Sequence, residues 1–258
     1  MRIASWNVNS ITVRLPQVLD FLARHPVDAL CLQETKTVDD KFPRQPFLDI
    51  GYQAVFTGQK SYNGVAILSR SPLEEVITDL PGEPSGQRRF LAGRLGGVWL
   101  VNVYVPNGES LVSEKYPYKL AWLECLRQWL HPRAGHPVVV TGDFNIAPTD
   151  LDVHDPLLWR DRVLVSPPER QALRALLDLG LTDAHRALDS QGPGFTWWDY
   201  RTGAFQRNRG LRIDLALVSA SLQPRLHACG VDREARGAER PSDHAPLLLS
   251  FAPDDTAP

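Results

Sequence analysis

Cysteine is scarce in this sequence, and the three that occur lie far apart. Cys31, Cys125 and Cys229 form no Cys-x-x-Cys pair in a chain of 258 residues. An odd number of widely spaced cysteines argues against a disulfide framework and fits a reducing cytoplasm, where we expect the protein to act. Because a His-Glu-x-x-His motif is also missing, a zinc enzyme is disfavoured.

Long apolar runs and a strong net charge are missing as well. No run is long enough to span a membrane, and the residues after Met1 do not resemble a signal peptide, so we expect no membrane association. The formal net charge is −2. A charge near zero does not exclude a nucleic-acid partner, because local basic segments are sufficient to bind one. Such segments occur at residues 86–90, 205–212 and 233–240.

Hydrophobic residues are numerous enough for one large domain. They make up 43% of the chain, and charged residues make up 22%, as in ordinary globular proteins. Helical patterns cover residues 15–24, about 116–130 and 168–180, the last with Ser166 as a cap and Gly180 as a stop. Strand-like runs cover residues 2–7, 29–35, 52–57, 63–69, 73–78, 90–95, 98–105, 137–145, 194–198, 212–219, 225–231 and 246–251.

The order of these elements predicts an α/β fold that is not doubly wound. Hairpins such as the one at Gly96-Gly97 are mixed with helical crossovers. A single sheet of so many strands would be unusually wide, so two β-sheets packed face to face and flanked by helices are favoured. We expect residues 1–252 to form one domain and residues 253–258 to be a disordered tail.

Polar side chains stand at the ends of many predicted strands. Each of them taken singly could cap a turn or face water. Asp214 differs, because it interrupts the apolar run LRIDLALV, and a buried carboxylate needs a partner. Together these acids and amides resemble the oxygen ligands of Mg²⁺ or Mn²⁺, which commonly bind phosphate substrates. The strand-end residues are Asn7, Glu34, Tyr104, Asp143, Asn145, Asp243 and His244.

Seven segments carry a resemblance to a known family. They are WNVNS, LQETK, NVYVPNGES, TGDFNIAPTDLD, FTWWDYR, NRGLRIDLAL and PSDHAP, in this order from residue 2 to residue 251. The sequence resembles the exonuclease III family of apurinic/apyrimidinic (AP) DNA endonucleases, which belongs to the DNase I-like endonuclease/exonuclease/phosphatase superfamily. LQET, GDFN and SDHAP are typical of the whole superfamily, whereas PTDLD, WWDYR and NRGLRID are specific to the exonuclease III branch.

The resemblance implies a fold and an activity. The fold is a four-layered α/β sandwich with two mixed sheets between helices. The activity is Mg²⁺-dependent hydrolysis, with Mn²⁺ as a possible substitute, of the phosphodiester 5′ to abasic sites in double-stranded DNA. Exonuclease activity in the 3′→5′ direction and removal of 3′ phosphates accompany it, so blocked 3′ ends are a second substrate. The implied protein is a monomer that acts in base excision repair.

The resemblance also assigns roles to the strand-end residues. Asp143 orients or deprotonates the attacking water, Asn145 holds the scissile phosphate and Tyr104 lies near it. His244 contacts the phosphate and is oriented by Asp214, so the embedded acid gains a cation to pair with. The implied catalytic set is Tyr104, Asp143, Asn145, Asp214 and His244. The implied metal set is Asn7, Glu34, Asp143, Asn145, Asp243 and His244.

A third set is implied to contact DNA. Arg88 and Arg89 belong to a loop that inserts into or beside the duplex, and Trp197 lines the pocket for an extrahelical abasic sugar. Asn107, Lys119, Arg201 and Asn208 match contacts to phosphates. Asn107 stands where close relatives have glutamine, and Trp198 stands where phenylalanine is common. One tryptophan of the Trp197–Trp198 pair is expected in the core.

Other functions share part of this pattern. Inositol polyphosphate phosphatases, sphingomyelinases and RNA deadenylases of the superfamily would share Glu34, Asp143, Asn145, Asp214 and His244. The segment FTWWDYRTGAFQRNRGLRID separates them, because the lipid and inositol branches carry different residues there. A non-catalytic DNA-binding module is a further alternative. It is ranked below an enzyme because none of the metal acids has been lost.

Overall fold

The computed structural model describes residues 1–253. Residues 254–258, most of the predicted tail, lie outside the described residues, and the domain boundary at residue 252 stays a prediction. Twelve strands occur within the described part of the chain: β1 Arg2–Asn7, β2 Ala29–Gln33, β3 Gln53–Thr57, β4 Val65–Ser69, β5 Glu74–Ile77, β6 Phe90–Leu95, β7 Val98–Tyr104, β8 Val138–Asp143, β9 Leu181–Asp183, β10 Asp214–Ser219, β11 Leu226–Val231 and β12 Leu247–Phe251.

These strands form two mixed sheets of six. The order is β11-β12-β1-β2-β4-β3 in the first sheet and β5-β6-β7-β8-β10-β9 in the second. Each sheet has one central parallel pair, β1 with β2 and β7 with β8, while its other pairs are antiparallel. The two parallel pairs place the ends of four buried strands at the same edge of the molecule, as the contact between Asn7 and Asp143 shows.

Helices flank both sheets. They are α1 Ile11–Arg24, α2 Arg44–Asp49, α3 Lys115–Leu130, α4 Pro156–Trp159, α5 Pro167–Leu177, α6 Ala184–Leu188 and α7 Arg233–Arg236. One apolar cluster packs α1 and α2 on the first sheet, a second packs α3 and α5 on the other, and a third joins the two sheets. Full burial of each large apolar side chain in such a cluster contributes about 1.5–3 kcal/mol. The predicted four-layered sandwich is confirmed.

Local signals explain most helix ends. In α5 the Ser166 hydroxyl and the Glu169 carboxylate form a capping box that satisfies two free backbone N–H groups. The helix predicted to start at residue 15 begins at Ile11, so Pro16 lies inside α1 rather than in its first turn. Among the described residues no helix is long and apolar enough to cross a membrane.

The strand predicted at residues 194–198 is wrong. These residues make only isolated bridges, in which Trp197 pairs with Leu211 on one side and with His244 on the other. The backbone N–H groups of Thr196 and Trp197 both donate to the carbonyl of Leu211, at 2.9 and 3.0 Å, and the carbonyl of Thr196 accepts from Ala245 at 2.7 Å. The segment therefore joins the ends of both sheets instead of extending either one, and it lies beside the site described next.

Candidate active site

The strand-end residues of the two sheets meet at one point. The Nδ2 amide of Asn7, at the end of β1, donates to Glu34 Oε1 at 2.8 Å and to Asp143 Oδ2 at 2.9 Å. Asp143 ends β8, where it lies opposite Asp214 of β10 in the antiparallel register. Asn7 thus connects an acid that follows the first sheet to an acid of the second. Glu34 and Asp143 converge, as the metal-site hypothesis requires.

A carboxylate–imidazole pair spans the same junction. His244, in the loop before β12, lies with its Nδ1 2.8 Å from Asp214 Oδ2, and its Nε2 is 3.8 Å from Asp143 Oδ2. Burial opposes a charge on the imidazole, but the carboxylates of Asp214 and Asp143 outweigh it and raise the pKa of His244. The burial of Asp143 in turn raises the pKa of its carboxyl group, against the attraction of His244. The two carboxylates therefore favour a protonated imidazole between them.

Backbone strain places Glu34 and Lys36 in the site. Both residues adopt the left-handed region, with φ of 52° and 53°, and the Lys36 Nζ lies 2.7 Å from Glu34 Oε2. Burial opposes ionisation of Glu34, yet the charge of Lys36 and the hydrogen bonds from Asn7 and Lys36 together outweigh it and lower the pKa of the carboxyl group. Lys36 also donates to Asn9 Oδ1 at 2.6 Å. The sequence analysis missed Lys36 and Asn9, although the quoted segments LQETK and WNVNS contain them.

Asp243 reaches the site through other side chains. Its Oδ1 accepts from Asn9 Nδ2 at 3.2 Å, and its Oδ2 accepts from the indole N–H of Trp197 at 3.0 Å. Since Asn9 also accepts from Lys36, Asp243 and Glu34 flank one polar network at the rim. The hydrogen bond from the Trp197 indole to Asp243 also fixes the edge of the Trp197 ring beside the site.

The donor set fits a hard divalent cation. One ligand atom from each of Asp143, Asp214 and His244 lies within 4.8 Å of the others, and the two carboxylates are the metal donors of this group, because a protonated imidazole has no free lone pair. Asp214 Oδ1 is buried and has no hydrogen-bond partner among the described residues. The nearby Asn7 and Glu34 add amide and carboxylate oxygens, the ligands that Mg²⁺ and Mn²⁺ prefer. The site thus contains an acidic group suited to a metal.

Two amides and a phenol border the acids. The half-buried Tyr104 ends β7 opposite Asp143 in the parallel register, and burial, followed by the charge of Glu34, raises its pKa well above its usual range, so it remains a proton donor. Asn145 donates from Nδ2 to the carbonyl of Val105 at 3.1 Å and accepts on Oδ1 from Asn107 at 3.0 Å. An amide has two N–H donors, so one hydrogen of Asn145 is left for a substrate oxygen.

Lys119 is not where the sequence analysis put it. Expected at the DNA surface as a phosphate contact, it is completely buried, and its ammonium pairs with the equally buried Glu169. Lys119 lies on the face of α3 that packs against the core. The sequence pattern does not show that a lysine occupies this buried face. A direct phosphate contact by Lys119 does not fit this position.

The remaining residues of the expected DNA surface lie around the rim of the site. Trp197 is half-buried, whereas Trp198 has no exposed surface and is the core residue of the pair. Arg89 stacks over the Tyr104 ring at 4.5 Å, and Arg88 forms an ion pair with Asp79.

The loop after Trp198 holds the last two residues of this set. The Arg201 side chain is 88% exposed, whereas that of Arg88 is 37% exposed. Asn208 is exposed, but its Oδ1 accepts from Arg233 at 2.9 Å and from Trp198 Nε1 at 3.3 Å. Only its N–H groups remain for a phosphate.

Carboxylates and amides at the joined ends of two packed sheets, with an imidazole paired to a buried acid, define a hydrolase of phosphate esters. Residues 4–244 match the model of the Endonuclease/Exonuclease/phosphatase family. The chain belongs to this family and, within it, to the exonuclease III group. It is accordingly a hydrolytic enzyme of the nuclease type, as the sequence predicted.

Individual relatives support the narrower assignment. The chain is 34% identical to exodeoxyribonuclease III of Haemophilus influenzae, over 97% of this chain and 100% of the relative. It is 47% identical to a 3′ phosphatase, NExo, from Neisseria, solved with a product DNA hairpin, with a TM-score of 0.96 over 97% of this chain and 99% of that one. It is 40% identical to an AP endonuclease from Archaeoglobus fulgidus, with a TM-score of 0.95 over 97% and 99% of the two chains.

Proposed function

We propose that the protein is a divalent-metal-dependent DNA repair nuclease that cleaves the phosphodiester 5′ to an abasic site in duplex DNA and also trims or dephosphorylates 3′ ends. The observation that carries this proposal is the junction of Asp143, Asp214 and His244 with Asn7 and Glu34. The rim residues Trp197 and Arg201 support a DNA substrate. The relatives named for 3′ phosphatase and AP endonuclease activity support both reactions.

The chain's own groups account for the hydrolytic step. Asp143 accepts a proton from the attacking water, for which the raised pKa of its carboxyl group suits it. The cationic His244, held by Asp214, donates to a phosphate oxygen and offsets the negative charge that develops there. Tyr104 and the free N–H of Asn145 add neutral donors on the same phosphate.

We assign the metal to Glu34 and Asn7, with Asp143, Asn145 and Asp243 close to it, and we expect Mg²⁺ with Mn²⁺ as a substitute. When bound, such an ion supplies Lewis-acid neutralisation of the phosphate and stabilises the leaving oxygen. His244 fits the phosphate better than the metal, because a protonated imidazole has no free lone pair.

Trp197 is proposed to line the pocket for an abasic sugar. Its exposed ring edge borders the site, and its indole N–H is already bound by Asp243. An apolar wall of this kind favours a sugar that lacks its base, because moving a normal nucleotide out of the duplex costs more unstacking and unpairing free energy. Arg88, Arg89, Asn107 and Asn208 remain proposed contacts to the DNA strand, together with the exposed Arg201.

One gel tests the function. The protein with Mg²⁺ is incubated with a duplex carrying one abasic analogue, a duplex with a 3′ phosphate, an intact blunt duplex, a single strand of DNA, an RNA with a 3′ adenosine tail and an inositol phosphate. We expect incision of the abasic duplex and loss of the 3′ phosphate. Loss of the 3′ phosphate without incision would reject only the abasic-site reaction and leave the 3′-end reaction in place. Turnover of only the RNA or the inositol phosphate would reject the assignment of DNA as the substrate. A monomer in the cytoplasm stays part of the proposal.

A further inference from the structure

A buried ion pair lies directly behind the amides of the site. Lys119 of α3 and Glu169 of α5 have no exposed side-chain surface, and Lys119 Nζ is 2.5 Å from Glu169 Oε1. Two charges in a core are costly unless hydrogen bonds satisfy them fully. A pair that is costly to bury and that lies beside the active site is expected to hold neighbouring groups in place.

The ammonium of Lys119 holds two loops of the site. It has three N–H donors, and three acceptors surround it: Glu169 Oε1, the backbone carbonyl of Asn145 at 2.6 Å and that of Asn107 at 3.1 Å. These carbonyls belong to the loops that follow β8 and β7. Lys119 therefore ties the main chains of both loops to α3 and has no donor left for a substrate.

Both oxygens of the Glu169 carboxylate likewise have all their hydrogen-bond positions occupied. Its Oε1 also accepts from the backbone N–H of Leu164 at 3.0 Å. Its Oε2 accepts from the backbone N–H of Ser166 at 3.0 Å and from the Ser166 hydroxyl at 2.5 Å. The capping box of α5 thus fixes the carboxylate, and the carboxylate fixes the ammonium.

Asn145 has a conformation that benefits from this support. Its φ is 50°, in the left-handed region that few residues other than glycine adopt and that asparagine tolerates. Its own N–H donates to Asp143 Oδ1 at 2.9 Å, so the peptide of Asn145 is bonded on the acid side as well. A rotation of this peptide would change the distance between the Asn145 amide and the Asp143 carboxylate.

We propose that Lys119 and Glu169 are a positioning pair, which fixes the main chain at Asn107 and Asn145 so that the two amides and Asp143 keep their relative placement on the phosphate. Neither residue touches DNA. The inference rests on the proposed hydrolysis, because that reaction depends on the placement. A displacement of about 1 Å at a reacting group lowers the rate by about 10²-fold.

The test replaces both charges together. Lys119→Met/Glu169→Gln leaves no unpaired charge in the core, and glutamine still completes a capping box. The matched control is Leu123→Ala, which removes a 1%-exposed side chain of the same helix but none of the hydrogen bonds from Lys119 to the two loop carbonyls. For each protein, kcat and KM on the abasic duplex, the salt dependence of DNA binding and hydrogen exchange of residues 105–108 and 144–147 are measured well below the unfolding midpoint.

We expect kcat of the double variant to fall about 10- to 100-fold, with KM and the salt slope as in the wild type. Hydrogen exchange of the two loops should accelerate in the double variant and not in the control. If the double variant does not fold, Lys119→Gln/Glu169→Gln replaces it, since two amides can hydrogen-bond to each other, and the same criteria apply.

Two results would overturn the inference. A kcat no lower than that of Leu123→Ala would make the pair purely structural. A raised KM with a salt slope smaller by about one charge would make Lys119 a direct phosphate contact. If the wild type hydrolyses no DNA, the proposed function fails by itself, while faster exchange confined to the two loops still supports the positioning role.

Discussion

Asp214 Oδ2 and His244 Nδ1 lie 2.8 Å apart, although the first residue belongs to the second sheet and the other precedes the last strand of the first sheet. The bond fixes the ring so that Nε2 faces the Asp143 side of the site. It also keeps the imidazole charged, because the acid favours the protonated form.

Replacing the acid of this pair should reduce turnover far more than stability. In Asp214→Asn the neutral amide no longer favours the imidazolium, and we expect kcat to fall about 10²- to 10⁴-fold. Thr141→Val is the matched control, because it removes a buried bond from β8 to the Leu215 carbonyl, 2.9 Å long, without touching the pair. Steady-state kinetics with thermal unfolding checks this, and near-wild-type turnover of the variant would reject the pairing.

Divalent ions should stabilise the folded chain as well as support hydrolysis. A chelator should abolish turnover and Mg²⁺ should restore it. Mg²⁺ at 100 times its dissociation constant should add about 2.7 kcal/mol to the free energy of unfolding. Glu34→Gln should lose most of this gain, whereas Glu124→Gln, an exposed acid paired with Arg127, should keep it. Equal gains in the two variants, measured by chemical unfolding, would remove Glu34 from the metal site.

Arg201 should contribute to DNA binding through charge alone. Its side chain is exposed at the rim, so Arg201→Ala should weaken binding to all duplexes and reduce the slope of log K against log salt by about 0.9. Arg94→Ala is the control, since Arg94 pairs with Glu75 near the Gly96-Gly97 hairpin at the opposite end of the sheet. Fluorescence anisotropy at several salt concentrations gives both slopes, and identical slopes would exclude a phosphate contact by Arg201.

His185 should make stability depend on pH. Burial and the charges of Arg212 and Arg186 lower its pKa against Asp183 and Asp189, and neither ring nitrogen has a hydrogen-bond partner in the part of the chain that the structure describes. Below about pH 6.5, therefore, His185 is protonated in the unfolded chain but remains neutral in the folded chain. Acidification then lowers the free energy of unfolding by up to about 1.4 kcal/mol per pH unit.

The variant His185→Gln isolates this contribution. It should lose less stability than the wild type between pH 7.5 and about pH 5.5, as the ordinary histidine pKa implies. Urea unfolding at several pH values measures the difference between the two proteins. A difference that stays constant across this range would show that His185 does not titrate in this way.

Much of this protein follows from its sequence alone. Buried strands appear as short apolar runs, and Asp214 could be recognised because an acid in such a run must have a partner. The strands so recognised were sufficient to predict two sheets between helices, and the quoted segments were sufficient to indicate the exonuclease III resemblance. Both follow from local pattern, which needs no knowledge of distant contacts.

Only the tertiary structure decided the rest. The sequence pattern around Lys119 predicts a helix but does not show that this residue is buried. The packing of α3 on α5 buries it against Glu169, 50 residues away in the sequence. Residues 194–198 have the composition of a strand, yet they bridge the ends of both sheets. Lys36 is placed against Glu34 by two left-handed residues that no periodicity reveals. In each case the deciding energy comes from partners that the chain brings together only when it folds.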